Sequence, residues 1–333
     1  LSMFKFNNFH WHLTEDQGWR IEIEKYPELN NVGSYRDSTL IGHYTDKPWQ
    51  FDKTRYGGFY TKDEIKEVVG YAEKNKMYAI GLMDNFSNTS GYASLVRKYF
   101  PNLNLKIFGG LIMEPPAGGV SYENVKIALE YSYYENDGAK FISFPTHHTR
   151  HIAIQEKRKS DYIKNCFYIP DEGPTDETKK ILELIAKKNV VLNTGHLSSK
   201  ETLKLVKAAK KIGVEKILIP SNNFDGLTII KLKKYNVYFE FSYFFVSKAT
   251  EIPLTHVDKE KHKIKGLNIK TLKELIKTAN PENVILSSDC GVSILPKPHL
   301  GFNQFIKQIS ELGFTIKEIE YMIKTNSKRL FSI

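Results

Sequence analysis

The chain has 333 residues, enough for one large domain or two ordinary ones with sizeable cores. An apolar share of 41% with 13% aromatic residues excludes a disordered polymer, and no run approaches the ~18 uncharged apolar residues of a membrane span. Two cysteines exclude a disulfide framework or a cysteine-rich zinc module, and the formal charge of +10 is spread as lysine along helical stretches such as "KKILELIAKK", which suits solvated helix faces and excludes no small-molecule chemistry.

In chain order, candidate strands are 5–12 "KFNNFHWH", 77–83 "MYAIGLM", 105–112 "LKIFGGLI", 139–144 "AKFISF", 189–194 "NVVLNT", 215–220 "EKILIP", 236–242 "NVYFEFS" and 283–288 "NVILSS". Between most of them lies a run with apolar residues at three- and four-residue spacing, as in an amphipathic helix. Three such helices open with capping-box spacing: Thr61 with Glu64, Ser198 with Glu201, and Thr315 with Glu318. The second stops at Gly213. Several strands are continuously apolar, as strands covered on both faces are. Eight strand–helix units in this length predict an α/β fold, a (β/α)8 TIM-type barrel over 1–333. The runner-up is an open doubly wound sheet. No GxGxxG or GxxxxGK[ST] follows a strand, which weighs against nucleotide binding.

Two longer irregular segments, 13–60 and 145–174, interrupt the pattern, and a third polar stretch, 247–267, follows the seventh strand. All would follow strands, at the end of the barrel where active sites are built.

Ligand-type residues cluster at the predicted strand ends. His10 and His12 are two apart on a strand, so a period of two gives them one face. His196 follows the fifth strand and Asp289 the eighth. A lone histidine at a strand end is more often a hydrogen-bonded core residue than a ligand. Together they form a set suited to one divalent cation, zinc, manganese, iron or nickel, with Asp289 also handling a proton. Asp84 ends the second strand, and His147, His148 and His151 follow the fourth. Their alternative is a polar surface loop. Glu15 and Asp16 are adjacent on an extended segment and point opposite ways, unlike the flanking dyad of a glycosidase. No G-x-S-x-G is present, and Cys290 fits best as a small buried residue.

Two stretches carry family resemblances. The pieces "KFNNFHWHLTEDQGWRIEIEKYPELNNVGSYR" and "YGGFYTKDEIKEVVGYAEKN" resemble the family 20 glycoside hydrolases, the β-N-acetylhexosaminidases, over residues 3–75. That resemblance implies the second strand, loop and helix of a (β/α)8 barrel. The family's Asp–Glu pair on a later strand has no counterpart after "MYAIGLMDNF", so no catalytic acid carries over. The pieces "IFGGLIMEPPAGGVSYENVKIALE", "GAKFISFPTHHTRH", "NVVLNTGHLSSKETLKLVKAAKKIGVEKILIPS" and "NVILSSDCGVSILPKPHLGF" resemble uncharacterised metal-dependent hydrolases of the amidohydrolase superfamily, over about 66–331. This resemblance implies metal ligands at His196 and Asp289 and an H-x-H on the first strand, a place taken here by "FHWH". Asn85 and Ser221 stand where that family usually has histidine. The chain therefore looks like a fusion, with a hexosaminidase-like segment at 1–76 and an amidohydrolase-like segment at 77–333.

The expected activity is metal-assisted hydrolysis of a small molecule, with Asp84, Asn85, His147, His148, His151 and Trp19 as substrate-binding residues. A hexosaminidase-like sugar hydrolase is the alternative. A second is a non-catalytic binder whose Trp11, Trp19, Trp49, Tyr35 and Tyr56 stack on a sugar or other planar ligand. Neither nucleic acid nor membrane is an expected partner, and self-association is left open. The cysteine usage suits a cytoplasmic location, with an upstream signal left open because the first residue is Leu1.

Overall fold

The structure is a computed structural model. It describes residues 8–9, 14–15, 18–19, 22–38, 40–41, 48, 50–51, 53–64, 79–85, 87–99, 106–130, 138–253, 263–290, 294–296 and 298–332. Eight parallel strands form one sheet: β1 (Asn8–Phe9), β2 (Ala79–Leu82), β3 (Lys106–Ile112), β4 (Phe141–Ser143), β5 (Val191–Asn193), β6 (Ile217–Pro220), β7 (Tyr238–Ser242) and β8 (Val284–Ser287). Each lies inside its predicted range. Neighbours in the sheet are neighbours in the chain, with no reversal of order as in a doubly wound sheet. Among the described residues no pairing joins β8 back to β1, so what is shown is a parallel α/β sheet in barrel order.

Strand alternation divides the sheet into two faces. The outer face carries Leu111, Ile142, Leu192, Ile217, Ile219, Phe239, Phe241, Val284 and Leu286. Against it pack α1 (Ser90–Tyr99), α2 (Tyr122–Glu130), α3 (Asp176–Lys188), α4 (Ser199–Ile212), α5 (Gly226–Lys233), α6 (Ile269–Ala279) and α7 (Pro298–Glu311). Helix α4 shows why these residues form helices. Ser198 accepts from the Glu201 backbone N–H, and Glu201 accepts in return from the Ser198 N–H at 3.0 Å. Thr202, Leu205, Val206 and Ala209 recur on one face and are all buried, and Gly213 ends the helix at φ 102°. Burying each leucine or valine contributes about 1.5–3 kcal/mol. The predicted boxes at Thr315–Glu318 and Thr61–Glu64 form in the same way.

The inner face is apolar at one end. Phe108, Ile112, Phe141, Val191, Leu218 and Ile285 form a second cluster there. Helix Asn326–Phe331 closes that end. Asn326 Nδ2 donates to the carbonyls of Pro281 and Val284, at 2.8 and 2.7 Å, where β8 begins. Leu330 joins the inner cluster, and the Phe331 ring lies 4.9 Å from that of Phe108. Among the described residues, this packing covers the N-terminal end of the inner face.

The two segments expected as irregular carry structure of their own. Within 13–60, Thr14–Glu15 pairs with Gly18–Trp19, Tyr35–Arg36 with Tyr56–Gly57, and Leu40–Ile41 with Gln50–Phe51. Within 145–174 lie helices Arg150–Gln155 and Ser160–Asn165, the first capped by Thr149. Residues His10, His12, Trp11, Asp16, Trp49, His256 and His262 lie outside the described residues. Among the described residues no helix is long and apolar enough to cross a membrane. Cys166 and Cys290 are free.

Candidate active site at the strand ends

The turn after β4 is built around one buried carboxylate, Glu114, which follows β3. Its Oε1 accepts from Thr146 N at 2.6 Å, Thr146 Oγ1 at 2.9 Å and His147 N at 2.7 Å. Its Oε2 accepts from His148 N at 3.2 Å and from His148 Nδ1 at 2.8 Å. Burial alone would favour the neutral acid. The bond from His148 and the charge environment of the two histidines overcome it and hold Glu114 down to about 2. The His148 ring also lies 5.5 Å from that of Tyr162. From β2, Asn85 Nδ2 reaches His147 Nε2 at 3.4 Å. Asp84 accepts from Ser87 Oγ at 2.5 Å, within its own turn.

The same turn is stitched to the end of β5. His196 N donates to the Pro145 carbonyl at 3.1 Å, and Thr149 Oγ1 donates to the His196 carbonyl at 2.9 Å. Gly195 makes that approach feasible. It has φ +64°, and a Cβ would stand 2.3 Å from the Pro145 oxygen. Burial pushes the His196 imidazole down to about 4, against the opposing pull of Glu114 and a hydrogen bond with the Thr146 backbone. His196 is thus neutral near pH 7, with a lone pair to offer. Its ring meets Phe245 edge-on at 6.3 Å. His196 and His151 line a cavity of about 10 Å³ with Asn222 and Phe245, room for about one water. Burial lowers His151, opposed by the charge of Glu201.

On the far side of the sheet stand two more carboxyls. Glu240 lies in β7, in register with Ile285 of the inner cluster and two residues from Tyr238, which packs on that cluster. It therefore shares the inner face, one step nearer the C-terminal end. Burial pushes Glu240 up to about 7; a hydrogen bond with Ser287 opposes the rise and the charge of Asp289 adds to it. Asp289 follows β8 with φ +50°. Its side chain keeps an exposed face, while the protein around its carboxyl raises it to about 6. Both features suit the wall of an opening. Neighbouring Cys290 has its thiol pushed by burial to about 11, inert rather than nucleophilic.

The structure brings Asn85, His147 and His148 together with Glu114, and His151 with His196. Asp289 stands beside Glu240. Trp19 lies in the hairpin strand Gly18–Trp19. His10 and His12 lie outside the described residues, and no group of three His, Cys, Asp or Glu converges among the described ones. Ser221 offers no ligand. It is buried, and its hydroxyl donates to the Ile219 carbonyl at 2.7 Å. The reading by strand ends missed Glu114 and Glu240. A glutamate inside the apolar run "NVYFEFS" was a legible signal for the second, because a strand covered on both faces has no solvated side for a charge.

Residues 61–239, more than half of the chain, match the family DUF6282, described as a family of unknown function. The chain belongs to that family. Residues 1–89 of this DUF6282 protein match the catalytic domain of glycosyl hydrolase family 20, as the N-terminal resemblance predicts. The two matches overlap over 61–89, a segment that includes β2. The first stretch is 40% identical over 84 residues to a beta-hexosaminidase of Vibrio furnissii, and 50% identical over 72 residues to one of Porphyromonas gingivalis. Those alignments cover 25% and 22% of this chain but 13% and 8% of the relatives, so the chain spans only a small part of their length. In fold it is similar to an organophosphorus hydrolase from Deinococcus radiodurans, with TM-score 0.51 and 12% identity over 80% of this chain and 82% of that one. It is also similar to the probable dipeptidase PvdM from Pseudomonas aeruginosa, with TM-score 0.52 and 12% identity over 79% and 87%. These likenesses bear on fold alone.

Proposed function

We propose that this DUF6282 protein is a hydrolase of amidohydrolase type, acting on a small molecule at the C-terminal mouth of a (β/α)8 barrel with one divalent cation. The observation that carries the reading is the pair of His196 after β5 and Asp289 after β8. Burial keeps His196 neutral, and Asp289 has a carboxyl made costly to ionise where no cation faces it. A cation relieves the second and uses the lone pair of the first, so the donor chemistry fits zinc, manganese, iron or nickel. His10 and His12 are the further ligands in this reading. With Asn85 bonded toward His147 and Ser221 turned to its own backbone, the site suits one ion rather than two.

A bound cation supplies Lewis acidity toward water and a polarised substrate oxygen. The protein's own part is positioning and proton transfer. Asp289 titrates below Glu240, so it carries the negative charge near neutrality and can receive a proton. Glu240, hydrogen-bonded with Ser287, is the neighbouring group that retains its proton longer. His147, His148, His151, Asp84, Asn85 and Trp19 are the proposed substrate contacts. Metal content of the purified protein tests the reading, with His196→Ala as the control. Stoichiometric metal in the wild type and its loss in the variant are expected; no stoichiometric metal in either overturns it.

The 50% identity to the Porphyromonas gingivalis hexosaminidase favours a second reading, recognition or cleavage of an N-acetylhexosaminide. Incubation with a chromogenic N-acetylglucosaminide separates the two. Turnover above buffer would displace the amidohydrolase reading, and a ligand-dependent thermal shift without turnover would mark a binder.

A further inference from the structure

The bond between Glu114 and His148 does something that the rest of the Glu114 clamp does not require. Three backbone N–H groups and the Thr146 hydroxyl already converge on the carboxylate and hold the turn. The ring bond from His148 Nδ1, at 2.8 Å, adds control of the imidazole. An ionised carboxylate can only accept, so the proton in that bond belongs to Nδ1. The neutral ring then has its lone pair on Nε2. The His148 side chain is 22% exposed and the Glu114 side chain 2%, so the ring meets solvent while its partner does not. The turn that carries His148 is bonded to the backbone of His196, and Glu114 acts electrostatically on the His196 ring. The pair therefore belongs to the same mouth as the proposed cation site, on its β3–β4 side.

We propose that Glu114 is a positioning residue that fixes His148 in its Nδ1–H form, and that His148 Nε2 is a proton acceptor for a hydroxyl of the substrate. In the transfer the substrate O–H bond breaks and an Nε2–H bond forms. The resulting imidazolium is matched by the Glu114 carboxylate, and the electron pair stays on the substrate oxygen. A carboxylate behind an imidazole sets its tautomer and ring orientation. The pair involves no metal ligand, so this inference and the cation reading fail separately.

The test uses Glu114→Gln in the full chain. The amide oxygen can still accept from the Thr146 and His147 backbone. The amide nitrogen facing His148 donates, which puts the lone pair on Nδ1 and the proton on Nε2. Long-range proton–nitrogen correlation on the 15N-labelled protein, assigned with His148→Gln, reads the tautomer directly. The wild type is expected to be protonated at Nδ1, and the variant at Nε2. Diethyl pyrocarbonate, which acylates an unprotonated ring nitrogen, gives a second readout by mass mapping of His148. Its rate at His148 is expected to fall about tenfold or more in Glu114→Gln, the usual scale for loss of a group that orients an imidazole. A purely structural glutamate would leave tautomer and rate unchanged, and that result overturns the proposal. So does a wild-type ring protonated at Nε2, which can be read even if the variant does not fold.

Discussion

Glu114 and Glu240 are the same residue type, both largely withdrawn from solvent, both near the C-terminal ends of strands of one sheet, and they are driven in opposite directions. Glu114 is held down to about 2 and Glu240 is pushed up to about 7, from a common ordinary value of 4.5. Burial opposes ionisation at both. The difference lies in the donors. Five reach Glu114, three of them backbone N–H groups fixed by the chain. Glu240 has Ser287, and it faces another carboxyl at Asp289. A carboxylate supplied with donors is part of the scaffold; one denied them is poised to hold or move a proton.

The largest expected effect comes from removing the donated-to group. Glu114→Ala leaves the N–H groups of Thr146, His147 and His148 without their acceptor in a buried turn. An unfolding free energy lower by about 3 kcal/mol or more at neutral pH is expected by denaturant titration. A loss below about 1 kcal/mol would mean that water replaces the carboxylate and that the turn does not depend on it.

Glu240→Gln should act with the opposite sign. Between about 4.5 and 7 the folded metal-free protein keeps the Glu240 proton, while the unfolded chain has released it. Folded Glu240 thus contributes stability that is fully present below pH 4.5 and is lost as pH rises through 7. Glutamine cannot ionise, so the variant should lack that part of the decline. It should be the more stable protein at pH 8, by on the order of 2–3 kcal/mol. For Glu114 the dependence is reversed. Its contribution is present above pH 4.5 and lost as pH falls through 2. Denaturant midpoints across pH for the wild type and Glu240→Gln decide the matter. Parallel curves would show that Glu240 finds donors that offset its burial.

Much of this architecture was legible because it depends on local, periodic signals. All eight strands fall inside the ranges predicted from the sequence, and the capping boxes at Ser198 and Thr315 form as their spacing predicts. His196 was legible as a residue at a strand end. Its placement also needs Gly195 and the Pro145 carbonyl, a contact between two turns about fifty residues apart that no window of sequence displays. Glu114 was missed for the same reason. In "LIMEPPAGG" it reads as an exposed loop acid, and its five donors lie more than thirty residues downstream. The segments 13–60 and 145–174 read as irregular because their hairpin strands are two residues long and their helices five or six. Elements that short carry only one or two periods of pattern, too few to stand out from the surrounding sequence.

The smallest effect sharpens the comparison most, because it separates a pKa from the stability it signifies. Asp171 is held down to about 2, as Glu114 is, by hydrogen bonds from Lys200 and Lys204 at 2.7 and 2.6 Å. Its side chain is largely exposed, as is that of Lys200. Water solvates the separated charges nearly as well as they solvate each other, and ordering the lysines opposes the gain. Asp171→Asn should therefore leave the thermal midpoint unchanged within error at physiological salt, where Glu114→Ala lowers it by several degrees. A midpoint that falls by a similar amount in both would show that charge pairing itself, rather than the satisfaction of buried donors, holds the β3–β4 side together. An unchanged Asp171→Asn midpoint beside a large Glu114→Ala loss assigns that stability to the backbone N–H groups that the buried carboxylate satisfies.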